Sequence, residues 1–178
     1  MLEASAPPAV PGGRRVRDEQ EFRDFVAARS PALLRTSYLL VGGDWALAED
    51  LLQVALTKTY LAWNRINDRG ALEGYVRTTM VTTSTSWWRR KWHGERPTAV
   101  LPDLAVSHDR SAQIDDRDEL WSLVRDLPAK QRAVLVLRFY EDLSEAETAR
   151  TLGIAPGTVK STTSRALAAL RTQLGEQA

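Results

Sequence analysis

LSEAETARTLGIAPGTVKSTTSRALAALR, residues 143–171, is the stretch whose reading decides the fold. Ser144 and Glu147 have the S-x-x-E spacing of a capping box, in which each side chain satisfies a backbone N–H that the first helical turn leaves open. Ala149, Gly153 and Val159 follow at steps of four and six. A small residue where two helices cross, a glycine in the turn and a buried apolar residue in the next helix are the marks of a helix-turn-helix. Leu152 and Ile154 supply core contacts around the turn, and Pro156 opens the second helix after a weak cap at Ala155. In that helix Val159, Thr163, Ala166 or Leu167, and Leu170 are expected on the buried face. Thr158, Ser161, Thr162 and Arg165 are expected opposite, with Lys160 beside them. Hydroxyls and long cations facing outward near a helix N-terminus suit a major groove, where Arg165 could bond a guanine through both arms.

Working outward, the chain has 178 residues, 43% of them apolar, and no cysteine. It can build real cores but no disulfide or thiolate metal site. No apolar run approaches the length of a membrane span, and the basic opening stretch lacks the apolar centre of a signal peptide. Residues 1–18 are expected to be a tail, and the chain to act in the cytoplasm. The net charge is only +1, yet it hides segregation. Residues 101–120 hold six acids and two arginines, whereas residues 148–175 hold four bases and no acid. Such segregation marks basic faces fit for phosphate.

Helical spacing dominates and no period-two alternation appears, so the fold class is all-α. One helix is expected from Glu19 to about Val41, with Pro31 kinking or breaking it. Gly42, Gly43 and Asp44 form a turn whose aspartate caps the helix WALAEDLLQVALTKTYLAW, residues 45–63. Leu47, Leu51, Val54 or Ala55, and Leu61 are expected along its apolar side. After a loop at residues 67–70, a long helix should run from Leu72 to His93. Residues 95–116 read as an acidic linker. RDELWSLVRDL and PAKQRAVLVLRFYE then give two helices, with Pro128 at a first helical position. Two small helical domains, 19–94 and 117–175, result.

The long helix ends in SWWRRKW, residues 86–92, which interleaves three of the six tryptophans with three cations. Either the tryptophans anchor the helix in a core while the cations face water, or the group grips nucleic acid by stacking and phosphate contact. Trp88 and Trp92 stand four apart, so burial of that pair and stacking are both open.

With both halves in view, the chain resembles the extracytoplasmic-function class of bacterial RNA polymerase sigma factors, in particular the group common in actinobacteria. AEDLLQVALTKTYLAW is similar to the family pattern D-L-x-Q-x-x-F followed by an aromatic, which implies core-polymerase contacts by Asp50, Leu51, Gln53, Leu56 and Tyr60. RGALEGYVRTTMVTTSTSWWRRKW resembles the family helix that melts the upstream edge of the transcription bubble. That implies DNA contacts by Thr82, Trp88, Arg89 and Arg90, with Arg69 contributing from the preceding loop. GTVKS, residues 157–161, sits in a segment similar to the domain that reads the minus-thirty-five element. The matches depart from the family where Thr82 stands for asparagine, Ser86 for an acid, Val54 for an acid, Leu56 for phenylalanine and Thr162 for arginine. The resemblance implies core RNA polymerase and promoter DNA as partners, an anti-sigma factor as a further one, and no cofactor.

Other classes fit less well. A stand-alone helix-turn-helix regulator needs a sensor or dimerisation half, which the first half does not offer. Against an enzyme, His93 and His108 share no metal-ligand spacing with carboxylates, and there is no phosphate-cradling glycine loop or nucleophile elbow.

Overall fold

The computed structural model describes residues 12–66, 68–92 and 119–176. The expected acidic linker and both histidines lie outside the described residues. Every regular element among the described residues is helical.

Helix α1 spans Gly12–Leu40 without interruption. It starts inside the stretch expected to be a tail and continues across Pro31 without a break. Proline frees the carbonyl four residues earlier. Here that residue, Ala27, is exposed, as is Pro31 itself, so water can take the unpaired carbonyl and the helix need not break. Gly42 and Gly43, at φ of 82° and 88°, reverse the chain. The Asp44 carboxylate then accepts the Leu47 N–H at 3.0 Å and starts α2, Trp45–Ala62. A loop with two short 3₁₀ turns, Trp63–Arg65 and Arg69–Ala71, leads to α3, Leu72–Trp92.

The middle helix is the most enclosed element of this half. Ala48, Leu51, Leu52, Ala55, Leu56, Thr59 and Ala62 are all buried, between α1 and α3. Leu61, expected on the apolar side, is 74% exposed. The buried stripe advances by three and four from Ala48 to Ala62 and passes one residue beyond Leu61, which therefore faces solvent.

The C-terminal half has α4 at Glu119–Arg125, α5 at Ala129–Leu135 running into a π-helical turn at Val136–Tyr140, α6 at Glu145–Leu152 and α7 at Pro156–Glu176. Pro128 is the N-cap of α5, one position before the first helical turn. The capping box of α6 is complete. Ser144 Oγ accepts the Glu147 N–H, and the Glu147 carboxylate accepts the Ser144 N–H at 2.8 Å. Gly153 ends α6 at φ 65°, with Ile154 N–H donating to the Ala149 carbonyl and Gly153 N–H to that of Arg150. This pair of bonds is the Schellman closure that a left-handed glycine permits.

The two halves do not hang apart. Ala133, Val136 and Leu137 from α5 and its π-helical extension belong to the same apolar cluster as Leu33, Leu51, Met80 and Val81. Helix α3 also packs on α6.

Candidate nucleic-acid interface

The helix-turn-helix is built around Val134, Ala149 and Val159, with Leu152 and Ile154 packed against them. Ala149, Gly153 and Val159 hold the crossing, turn and core positions that their spacing predicts. Along α7, Val159, Ala166 and Leu170 are buried, while Thr158, Lys160, Ser161 and Arg165 are exposed. Arg165 Nε lies along its own helix, donating to the Ser161 carbonyl at 3.3 Å, and Ser161 Oγ donates to the Thr158 carbonyl at 3.2 Å. These are weak internal contacts that a groove partner could replace without leaving a buried group unpaired.

Thr162 is a correction. It is 8% exposed and faces inward, where a base contact was expected, and Thr163 is half-buried instead. At 100° per residue the two threonines flank the Val159–Ala166 line on either side, and packing favours Thr162 as the inner one. Ser164, which the sequence reading passed over, is exposed. It follows Ser161 by three and precedes Ala168 by four, the spacing of one helix face.

In the N-terminal half, Leu51 at 0% and Leu56 at 2% exposure are core residues. Neither can meet a partner, so the motif's leucines anchor α2 while its polar positions face out. Asp50 and Tyr60 are exposed, and Gln53 is half-buried. Partial desolvation at the helix surface pushes the Asp50 carboxyl above its usual range, helped by the nearby charges of Glu49 and Asp44. Tyr60 is steadied by Phe22, whose ring centre lies 5.0 Å away.

On α3, Thr82, Arg89 and Arg90 are exposed. The Thr82 hydroxyl donates back to the carbonyls of Thr78 and Thr79. Trp87 packs on the main core. Trp88 is half-buried, and the Arg132 guanidinium sits 4.9 Å above its ring. The side chains of Arg69 and Trp92 lie outside the described residues. Beside the start of α3, Ala62, Arg65, Ile66, Asp68, Ala71, Gly74, Tyr75 and Thr78 line an open cleft of about 640 Å³.

No helix among the described residues is long and apolar enough to cross a membrane, and they hold no acid, histidine or cysteine cluster that could bind a metal.

A cationic helix-turn-helix packed against a second helical half that bears outward arginines has the character of a two-part DNA-binding protein. Residues 25–94 match the family described as Sigma-70 region 2, and residues 117–170 match Sigma-70, region 4. The RNA polymerase sigma-E factor of Streptomyces avermitilis is 46% identical over 154 residues, covering 86% of this chain and 85% of that protein. The ECF RNA polymerase sigma factor SigM of Mycobacterium tuberculosis is 35% identical over 129 residues, covering 72% of this chain and 64% of its own. The solved structure of the sigma factor RpoE in complex with the anti-sigma factor NepR from Bartonella quintana shares the fold, at a TM-score of 0.65 and 23% identity over 88% of this chain and 98% of that one. The chain belongs to the extracytoplasmic-function class of sigma-70 family RNA polymerase sigma factors. It is an alternative sigma factor, which directs core RNA polymerase to promoters.

Proposed function

We propose a division of labour between the halves. The domain at residues 19–94 docks on core polymerase through the outward side of α2, with Asp50, Gln53 and Tyr60. The same domain grips the minus-ten region through Thr82, Trp88, Arg89 and Arg90, with Arg69 contributing from the preceding loop. The cleft beside Tyr75 is open and part aromatic, which suits an unstacked base. The domain at residues 117–175 places Thr158, Lys160, Ser161 and Arg165 in the minus-thirty-five major groove, with Ser164 as an added phosphate or base contact. Residues 95–116 tether the two. RNA synthesis is the polymerase's chemistry, so this chain needs no catalytic group or cofactor. It works in the cytoplasm, and an anti-sigma factor is a further partner, as RpoE has in NepR.

The observation that carries this reading is the outward face of α7. Its hydroxyls and cations are exposed at the N-terminal end while its apolar residues lock the helix-turn-helix behind them. Run-off transcription with purified core polymerase on genomic fragments tests it. Transcripts that start at defined sites and need this chain support the reading, and their absence rejects it.

A further inference from the structure

The outward side of α2 ends in apolar surface that neither the core nor the docking residues named so far account for. Leu61 is 74% exposed, the most of any large apolar side chain among the described residues, and its neighbour Tyr60 is 47% exposed. One leucine in water is ordinary, but this one adjoins an aromatic that the core holds in place. The Tyr60 ring centre lies 5.0 Å from that of Phe22, and Phe22 meets Trp63 edge-on at 5.2 Å. Phe22 and Trp63 are both buried, so Tyr60 has little freedom left to lose when a partner covers it.

Helical register puts Leu61 on the docking side. At about 100° per residue, the steps from Asp50 to Leu61 make three full turns plus about 20°. Leu61 therefore stands about 16 Å along the axis from Asp50 and on nearly the same line. Thr57 falls between them on that line, and Gln53 and Tyr60 flank it at about 60° and 80° on one side. Leu51 and Leu56 lie about 100° or more away from it and are buried. The line also has two unlike ends. Asp44 and Glu49 stand close enough to Asp50 to raise its carboxyl, so one end is acidic, whereas the other end is apolar.

That pairing of ends decides between occupants. Promoter DNA offers phosphates, which the acidic end repels and the apolar end does not satisfy. The polymerase is a protein, and a protein surface can set a cation against the acids and an apolar pocket against the leucine. Polar contacts exchange water for partner at small net gain, so apolar surface removed from water is the larger source of affinity. With Leu51 and Leu56 enclosed in the core, Leu61 and Tyr60 are the large apolar groups that the docking side of α2 can present.

We propose that Leu61, seated beside Tyr60, is the apolar anchor by which this chain holds core polymerase, with Asp50 taking a cation at the far end of the same line. The anchor rests on the reading given above, that α2 docks on core. It moves the apolar part of that contact from the buried leucines of the motif to a residue outside it. The side chain of Leu61 stands in water in the free chain, so replacing it changes docking and leaves the core of this half as it is.

The test uses the full chain, which has no cysteine. A168C, at an exposed position on α7, takes one fluorescent label, and anisotropy follows titration with purified core polymerase. Leu61→Gln should bind core about tenfold more weakly, and Leu61→Met, which keeps the apolar volume, should bind like wild type. Leu174→Gln removes another leucine, 44% exposed on α7, and should keep wild-type affinity. All three should unfold at the wild-type denaturant midpoint. Undiminished affinity in Leu61→Gln overturns the anchor, as does an equal loss in Leu174→Gln. A lowered midpoint in Leu61→Gln assigns the residue to the fold and overturns it too. Sedimentation of the free chain tests the other occupant, since a dimer that Leu61→Gln abolishes would give this surface to a second copy instead. Asp50→Ala separates the two readings. If it weakens core binding while Leu61→Gln does not, docking through α2 stands and only the anchor falls, whereas a wild type that does not bind core overturns both.

Discussion

The clamp-helix motif of α2 allows a sharp separation of stability from affinity. Leu56 belongs to the motif but is 2% exposed and lies in the main cluster with Leu51, Leu52 and Met80. Leu56→Ala deletes three carbons, worth about 2.4 kcal/mol of transfer at roughly 0.8 per methylene. The cavity left between α1 and α3 adds to this, for a total of about 3–4 kcal/mol. A loss of that size is a large share of the 5–15 kcal/mol that holds an ordinary domain, yet leaves the chain folded at low temperature. Asp50→Ala does the reverse. Its carboxyl is exposed, and its folded pKa is raised, so ionised Asp50 is mildly unfavourable to the fold at neutral pH and its removal costs nothing. Urea unfolding followed by circular dichroism gives the first number, with an unchanged slope expected. Pull-down of core polymerase at 4 °C, where both variants remain folded, gives the second. Leu56→Ala should be destabilised and still bind core, and Asp50→Ala should be stable and bind poorly. A Leu56→Ala protein of wild-type stability that fails to bind core would mean that the side chain meets the polymerase directly, and the burial argument would be wrong.

Three further outcomes follow from the C-terminal half. Arg165→Ala should weaken binding to a promoter duplex by about 1–3 kcal/mol with the fold intact; equal affinity in a fluorescence-anisotropy titration would remove Arg165 from the reading set. Glu147 has its carboxyl lowered by the Ser144 hydroxyl and backbone, so its stabilising contribution is present above the normal carboxylate pKa of 4.5 and is lost as pH falls through the lower folded value. Wild type should therefore exceed Glu147→Gln in denaturant midpoint at pH 7, with the difference closing at acid pH, and a gap that persists in acid would reject the capping role. Gly153→Ala should cost about 1 kcal/mol, because φ is 65° but nothing stands within 4 Å of the added Cβ. Gly43→Ala should cost more, since it meets Arg125 as well, and reversed denaturant midpoints would contradict the geometry.

The helix-turn-helix was legible in the sequence because each of its signals is local. A capping box, a turn glycine and a buried valine depend on neighbours within a few residues, and the structure keeps all three. The leucines of α2 misled for a related reason. A family pattern records which residues recur around a docking helix and does not separate those that touch the partner from those that hold the helix in place; Leu51 and Leu56 do the second. Thr162 and Thr163 show the limit of periodicity, since two residues at 50° on either side of a buried stripe are equivalent to a helical wheel, and only the neighbouring helices choose between them. Pro31 shows that exposure on one side of a helix can cancel a break signal. Arg132 was illegible altogether. Its partners are carbonyls and an indole ring, groups with no sequence signature, and those in the other half, Leu40 and Trp88, lie about 40 to 90 residues away.

That choice of partners also bears on how firmly the halves are held. A guanidinium taken out of water loses several kcal/mol of hydration, and contacts in the interior return it only when the geometry is good and every donor is used. Arg132 leaves Nη2 unmatched, and burial lowers its pKa, so desolvation outweighs attraction at this site. Its contribution to closure is accordingly small in free energy but strict in geometry. Arg132 closes the turn between α4 and α5 through the carbonyls of Arg125 and Leu127, and reaches the other half through Leu40 and Trp88. Glu141 is different, since both its oxygens are used and both partners lie in the N-terminal half.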